Sequence, residues 1–186
     1  MDRGDCRNLL RGLLPERRLY HCECVADAAV ALARQYGADE HKALLAGMLH
    51  DCMKNAPLEE QIAVCARAGM PLRPANLASP QVCHAFAGAA YLSLCGVTDE
   101  EVLGAVRWHT TGHAGMALLE EVVYVADLVS ADRDYPDVGH VRQLAEKSLH
   151  AASRYILEYI FAKLKREGRP IEPDALAWYQ ELISNA

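Results

Sequence analysis

Apolar residues recur at three- and four-residue spacing along almost the whole chain, and no stretch alternates apolar with polar side chains. That period matches one face of a helix, whereas a strand repeats every second residue. Ala, Leu, Glu and Arg dominate and β-branched runs are short, which favours helices further. The expected helices cover about 6–14, 19–36, 39–54, 58–68, 80–95, 99–109, 117–131, 138–167 and 174–184. Gly37, Pro57, Gly69, Pro71, Pro80, Gly96, Gly112, Pro136 and Gly168 with Pro170 mark the breaks. The segment 70–80, with its three prolines, is expected to be a loop. With 186 residues the chain is long enough for one cored domain and short for two. The expectation is an all-α bundle of eight to nine helices forming a single domain, 1–186, with a core at about 18–137 and the C-terminal helices 138–186 packed on it.

Composition excludes several classes of partner. The formal net charge of −6 argues against a nucleic-acid-binding surface. No apolar run approaches the roughly 18–20 residues needed to span a bilayer. The N-terminal residues mix charges through their apolar positions and have no signal-like hydrophobic segment, so a cytoplasmic protein is expected. Seven cysteines, an odd number without a CxxC pair, read as free thiols packed in the core. Cys22, Cys52 and Cys83 each follow or precede a candidate ligand, and a helical neighbour points about 100° away, so they are expected behind the site.

Chemistry concentrates in six side chains that interrupt apolar stripes: His21, His50, Asp51, His84, His109 and Asp127. In HKALLAGMLHDCMKN the stripe Leu44, Leu45, Met48, Leu49 runs into His50 and Asp51. An imidazole and a carboxylate buried there are costly unless paired, and a metal ion removes that cost. Asp51 has two oxygens and can bridge two ions. Lys54, three residues after Asp51, would place an ammonium beside them on the same helix face. Asp127 breaks the apolar centre of VVYVADLVSADR. Each residue alone has an ordinary explanation as a satisfied core group; six in this order do not.

The segments RLYHCECVADAAVALARQYG, KALLAGMLHDCMK, VCHAFAGAAYL, VRWHTTGHAGM and VVYVADLVSADRDYP, within residues 18–137, resemble the HD-domain metal-dependent phosphohydrolase superfamily. Within it they are most similar to the YqeK family of symmetrical diadenosine tetraphosphate (Ap4A) hydrolases. The resemblance implies that His21, His50, Asp51 and Asp127 hold one metal, and that Asp51, His84 and His109 hold the other. It implies two divalent ions, iron first, although such ligands also accept manganese, zinc or cobalt. It further implies that Lys54, Thr110, Thr111, Gly112 and Arg133 surround the phosphates, with Asp51, Lys54 and Arg133 at the reacting centre; His113, in the loop after a presumed ligand, is a candidate substrate contact. The chain departs from the family pattern at His113, where Arg is commoner, and at Cys22, where Ser is commoner; the first would re-tune polyphosphate binding.

Two divalent ions against two carboxylates leave a net positive centre that suits an anionic substrate. Water bound there becomes a nucleophile at neutral pH, and the ions stabilise charge during in-line displacement. The implied reaction is hydrolysis of Ap4A to two ADP. Two alternatives stay open: another nucleotide as substrate (a mono- or triphosphate, cyclic dinucleotide or alarmone), or a non-catalytic nucleotide sensor. Trp108 is expected in the core; Tyr135 and Pro136 form either a turn or a nucleobase contact. His41, His140 and His150 are expected to face solvent. Ile156, Ile160, Phe161 and Leu164 either pack on the core or seal a homodimer.

Overall fold

The computed structural model describes residues 1–184. Among these residues it has eleven α-helices, one short 3-10 helix and no strand. Side-chain caps set several helix starts. Asp2 and Asp5 cap α1 (Arg3–Arg11) reciprocally, and the Asp39 carboxylate accepts from the first turn of α3 (Glu40–Leu49). Asp99 does the same for α7 (Glu100–Trp108). Between them run α2 (Glu16–Tyr36), α4 (Leu58–Arg67), α5 (Pro74–Ala78), a 3-10 turn at Pro80–Val82 and α6 (Cys83–Leu94). α8 (Leu118–Val129), α9 (Val138–Ala145), α10 (Leu149–Arg166) and α11 (Pro173–Ser184) complete the order.

The all-α expectation holds, with three departures. The helix expected over 138–167 is two helices, because Ser148 is extended and its hydroxyl oxygen accepts from the Ala151 N–H to start α10. The stretch 70–80 is not wholly a loop, since Pro74 opens the short helix α5 and Pro80 the 3-10 turn. The third helix stops at Leu49, and residues 51–55 turn back on themselves, with the Lys54 N–H bonded to the Asp51 carbonyl at 2.8 Å. Lys54 therefore reaches the site from a turn, not from a helical face.

α2 packs along α3 and α8, and α7 packs on α3, α6 and α8. Gly47 makes the first of these contacts possible: a Cβ there would lie 2.7 Å from the Ala26 Cα. The core they enclose includes Leu19, Val25, Met48, Leu49, Leu92 and Val106. Ile156 joins it, whereas Ile160 and Phe161 are only partly buried. His41, His140 and His150 are exposed as expected. No helix among the described residues is long and apolar enough to cross a membrane.

Candidate metal centre

Five elements deliver the six candidate ligands to one place. His21 comes from α2, Asp127 from α8 and His84 from the first turn of α6. His50 and His109 are the residues that end α3 and α7, and Asp51 follows His50 into the turn. Five of the six are at most 4 % exposed, so the centre is dry except on one side.

Each imidazole has one nitrogen already committed. Nδ1 donates to the Gly47 carbonyl from His50 (2.7 Å), to the Gln81 carbonyl from His84 (2.8 Å) and to the Val106 carbonyl from His109 (2.7 Å). His21 Nδ1 donates to Asp132 Oδ2 at 2.8 Å. With the proton fixed on Nδ1, each Nε2 turns a lone pair inward, the arrangement a metal-ligating histidine requires.

Asp51 sorts those lone pairs into two groups. Its Oδ2 lies 3.5 Å from His50 Nε2 and 4.0 Å from His21 Nε2. Its Oδ1 lies 3.1 Å from His84 Nε2 and 3.6 Å from His109 Nε2. Asp127 Oδ1 joins the first group, 3.0 Å from His21 Nε2 and 3.9 Å from His50 Nε2. His84 and His109 bring their Nε2 atoms within 3.2 Å of each other, two lone pairs face to face. His50 Nε2 is buried without any hydrogen-bond partner. Both features call for a cation, and the donor set fits divalent metal ions.

Electrostatics support the same reading. Burial alone would raise Asp51, but His50, His109 and His84 around it hold the carboxyl well below the usual range. Asp127 is likewise held down against its burial by His21 and Arg133. Burial pushes His84 down to about 4 and lowers His109, which keeps both imidazoles neutral and free to ligate. Burial pushes the Cys22 and Cys52 thiols up, so they stay protonated behind the site.

A cavity of about 880 Å³ opens over the centre, and its walls are cationic. Lys54 Nζ stands 3.1 Å from His84 Nε2, and Arg133 pairs with Asp127 while its Nε donates to the Asp127 carbonyl at 2.6 Å. Thr110 Oγ1 lies 3.0 Å from His109 Nε2. Three residues expected here are elsewhere. Thr111 is buried against a different cavity. Gly112 sits at φ +63° with its Cα pressed on Trp178, where a Cβ would clash. His113 is 3.0 Å from Glu120 Oε2, with its ring against Trp108 at 4.5 Å. Tyr135, by contrast, lines the mouth.

Sequence reasoning passed over two residues. Arg18 Nη1 donates to Asp51 Oδ2 at 2.9 Å, and Asp132 orients His21. Arg18 lies three residues before His21 on the same helix face, which was a usable signal. Tyr20 and Asn55 line the mouth as well.

Fold and centre together define a helical protein built around divalent metal. Residues 18–132 match the HD domain family, and the chain belongs to that family. It is 36% identical over the full length of both chains to a Bacillus subtilis protein named bis(5'-nucleosyl)-tetraphosphatase, symmetrical. A Halalkalibacterium halodurans protein of the same name is 35% identical over 98% of each chain. The crystal structure of a predicted HD superfamily hydrolase involved in NAD metabolism, from Clostridium acetobutylicum, superposes with a TM-score of 0.96. That chain is 30% identical and is covered to 99% of its length.

Proposed function

We propose that this protein hydrolyses Ap4A symmetrically to two ADP at a dinuclear centre. The observation that carries the proposal is the split of four Nε2 atoms between the two oxygens of Asp51, three or four ångströms from each. The names of full-length relatives supply the substrate. His21, His50, Asp51 and Asp127 would hold one ion, and Asp51, His84 and His109 the other. When bound, the ions supply an activated water and neutralise charge on the phosphates. We infer iron as the resident metal; metal analysis of freshly purified protein tests that assignment.

The chain's own residues supply the rest. Arg18, Lys54 and Arg133 line the mouth and would bind phosphate oxygens, the arginines in bidentate fashion. Thr110 stands at the edge of the second ligand group. Asp132 holds the His21 proton on Nδ1. Water adds to one internal phosphorus and the bridging oxygen leaves on the other half, so each half departs as ADP. Tyr20 and Tyr135 flank the mouth and would receive a nucleobase.

A single unit over 1–186 fits a core cluster that runs from Cys6 to Leu182. Seven free cysteines suit the reducing cytoplasm. Net charge of −6 disfavours nucleic acid as a partner. A homodimer would use the partly buried Ile160 and Phe161, and sedimentation of the purified protein tests it. For the activity itself, kcat/KM is measured on Ap4A and on nucleoside mono- and triphosphates, cyclic dinucleotides and alarmones. Ap4A is expected to be the best substrate; a better one in the panel overturns the assignment.

A further inference from the structure

A second cavity, of about 170 Å³, lies between the 3-10 turn, Thr110 and Thr111, α8, α10 and the segment before α11. Its apolar walls include Leu157, Ile160 and Phe161. Six buried side-chain atoms among the described residues lack a hydrogen-bond partner, and three belong to residues of this one cavity: Thr111 Oγ1, the Tyr124 hydroxyl and Glu172 Oε2. These residues are 4 %, 1 % and 5 % exposed. Unpaired buried polar atoms are rare and costly, so their concentration marks a place shaped for a partner.

The three atoms are also held in place. Tyr124 packs edge-on against Trp178 at 4.8 Å, and Gly112 presses the turn that carries Thr111 onto the same indole. Asn76 Nδ2 donates to Glu172 Oε1 at 3.0 Å, leaving Oε2 free. Burial keeps the Tyr124 hydroxyl protonated. The cavity thus offers two hydroxyls that can donate and one carboxylate oxygen that accepts, among largely apolar walls that also carry Ser79, Gln81 and Arg169, the last already paired with Glu167 at 2.7 Å. A carboxylate repels a phosphate, and apolar walls disfavour a sugar. A flat heterocycle with an amino group satisfies all three groups. Pockets for whole drug-sized ligands run to about 300–1,000 Å³, so this volume suits a fragment such as a single base.

Thr110 ties the cavity to the metal centre, since it lines the cavity while its hydroxyl stands 3.0 Å from His109 Nε2. We propose that this cavity takes one adenine base of the dinucleotide substrate. Glu172 Oε2 accepts from the exocyclic amino group, and the Tyr124 and Thr111 hydroxyls meet ring nitrogens. Adenine as the ligand rests on the cavity alone; the substrate as its source rests on the Ap4A activity proposed above.

Calorimetric titration of metal-replete protein with adenosine and with inosine, which presents a carbonyl where adenosine has the amino group, tests the site. Adenosine is expected to bind about tenfold more tightly than inosine, and Thr111→Val and Tyr124→Phe each to weaken it about tenfold. Glu172→Gln, whose amide can donate, is expected to erase that preference. Tyr124→Phe is also expected to raise the melting temperature of the ligand-free protein, because it removes an unpaired hydroxyl. Equal affinity for the two nucleosides, or binding untouched by the substitutions, overturns the proposal. If the protein does not cleave Ap4A yet discriminates the nucleosides, the substrate assignment fails and the base site stands. If it cleaves Ap4A and Tyr124→Phe leaves KM unchanged, the base site fails alone.

Discussion

At the scale of single residues, the centre depends on atoms that touch no metal. Asp132 fixes the tautomer of His21 from 2.8 Å. Replacing such a carboxylate typically costs about 10–100-fold in metal affinity or activity. Asp132→Ala is therefore expected to lower metal affinity by that factor, read by competition with a chelator, with little change in helix content. Unchanged affinity would mean that the carboxylate does not position His21. The six ligand candidates were legible in the sequence because each breaks an apolar stripe, and a buried charge demands a reason. Asp132 was not, and Arg18 offered only its three-residue spacing from His21. Both lie in charged segments where a solvated side chain is the ordinary reading, and Asp132 meets its histidine across 111 residues of chain. Of the turn 110–113, which the resemblance assigns to the substrate, Thr110 stands beside the ligand group, 3.0 Å from His109 Nε2.

At the scale of elements, helix periodicity survived folding and helix ends did not. The apolar period runs unbroken through 138–167, so it could not reveal that Ser148 starts a new helix. The pairing of α2 with α3 carries His21 to His50 and is tight enough to test. Gly47→Ala would set a Cβ 2.7 Å from the Ala26 Cα, a backbone atom that cannot turn aside. The expected destabilisation is about 1–3 kcal/mol, at roughly 2–4 °C in melting temperature per kcal/mol, with metal content falling in step. A variant of wild-type stability would show that the helices part freely. Between α8 and α10, buried Glu121 accepts from the Ser153 hydroxyl at 2.7 Å, and its own burial raises its carboxyl above the usual range. A raised carboxyl favours folding below its unfolded pKa and loses that contribution as pH rises through its folded value. Glu121→Gln removes that loss. It is expected to raise the melting temperature at pH 7, with the gain gone near pH 4; a gain independent of pH would point to packing instead.

At the scale of the whole molecule, divalent ions at the proposed centre would link helices that otherwise meet through a ring of inward-facing lone pairs. An ion bound only by the folded state, present at 100 times its Kd, adds about 2.7 kcal/mol. Chelation is expected to lower the melting temperature by several degrees, and re-addition of metal to restore it. A melting curve indifferent to chelator would mean that the ligands are satisfied without metal. Whether Asp51 joins two ion sites that together split Ap4A in the middle is read from the products of the reaction. Metal-replete wild-type protein and Asp51→Ala are incubated with Ap4A, and the nucleotides are separated by anion exchange. ADP as the sole product, absent with the variant, is the predicted result. ATP with AMP, or full activity without Asp51, would contradict it.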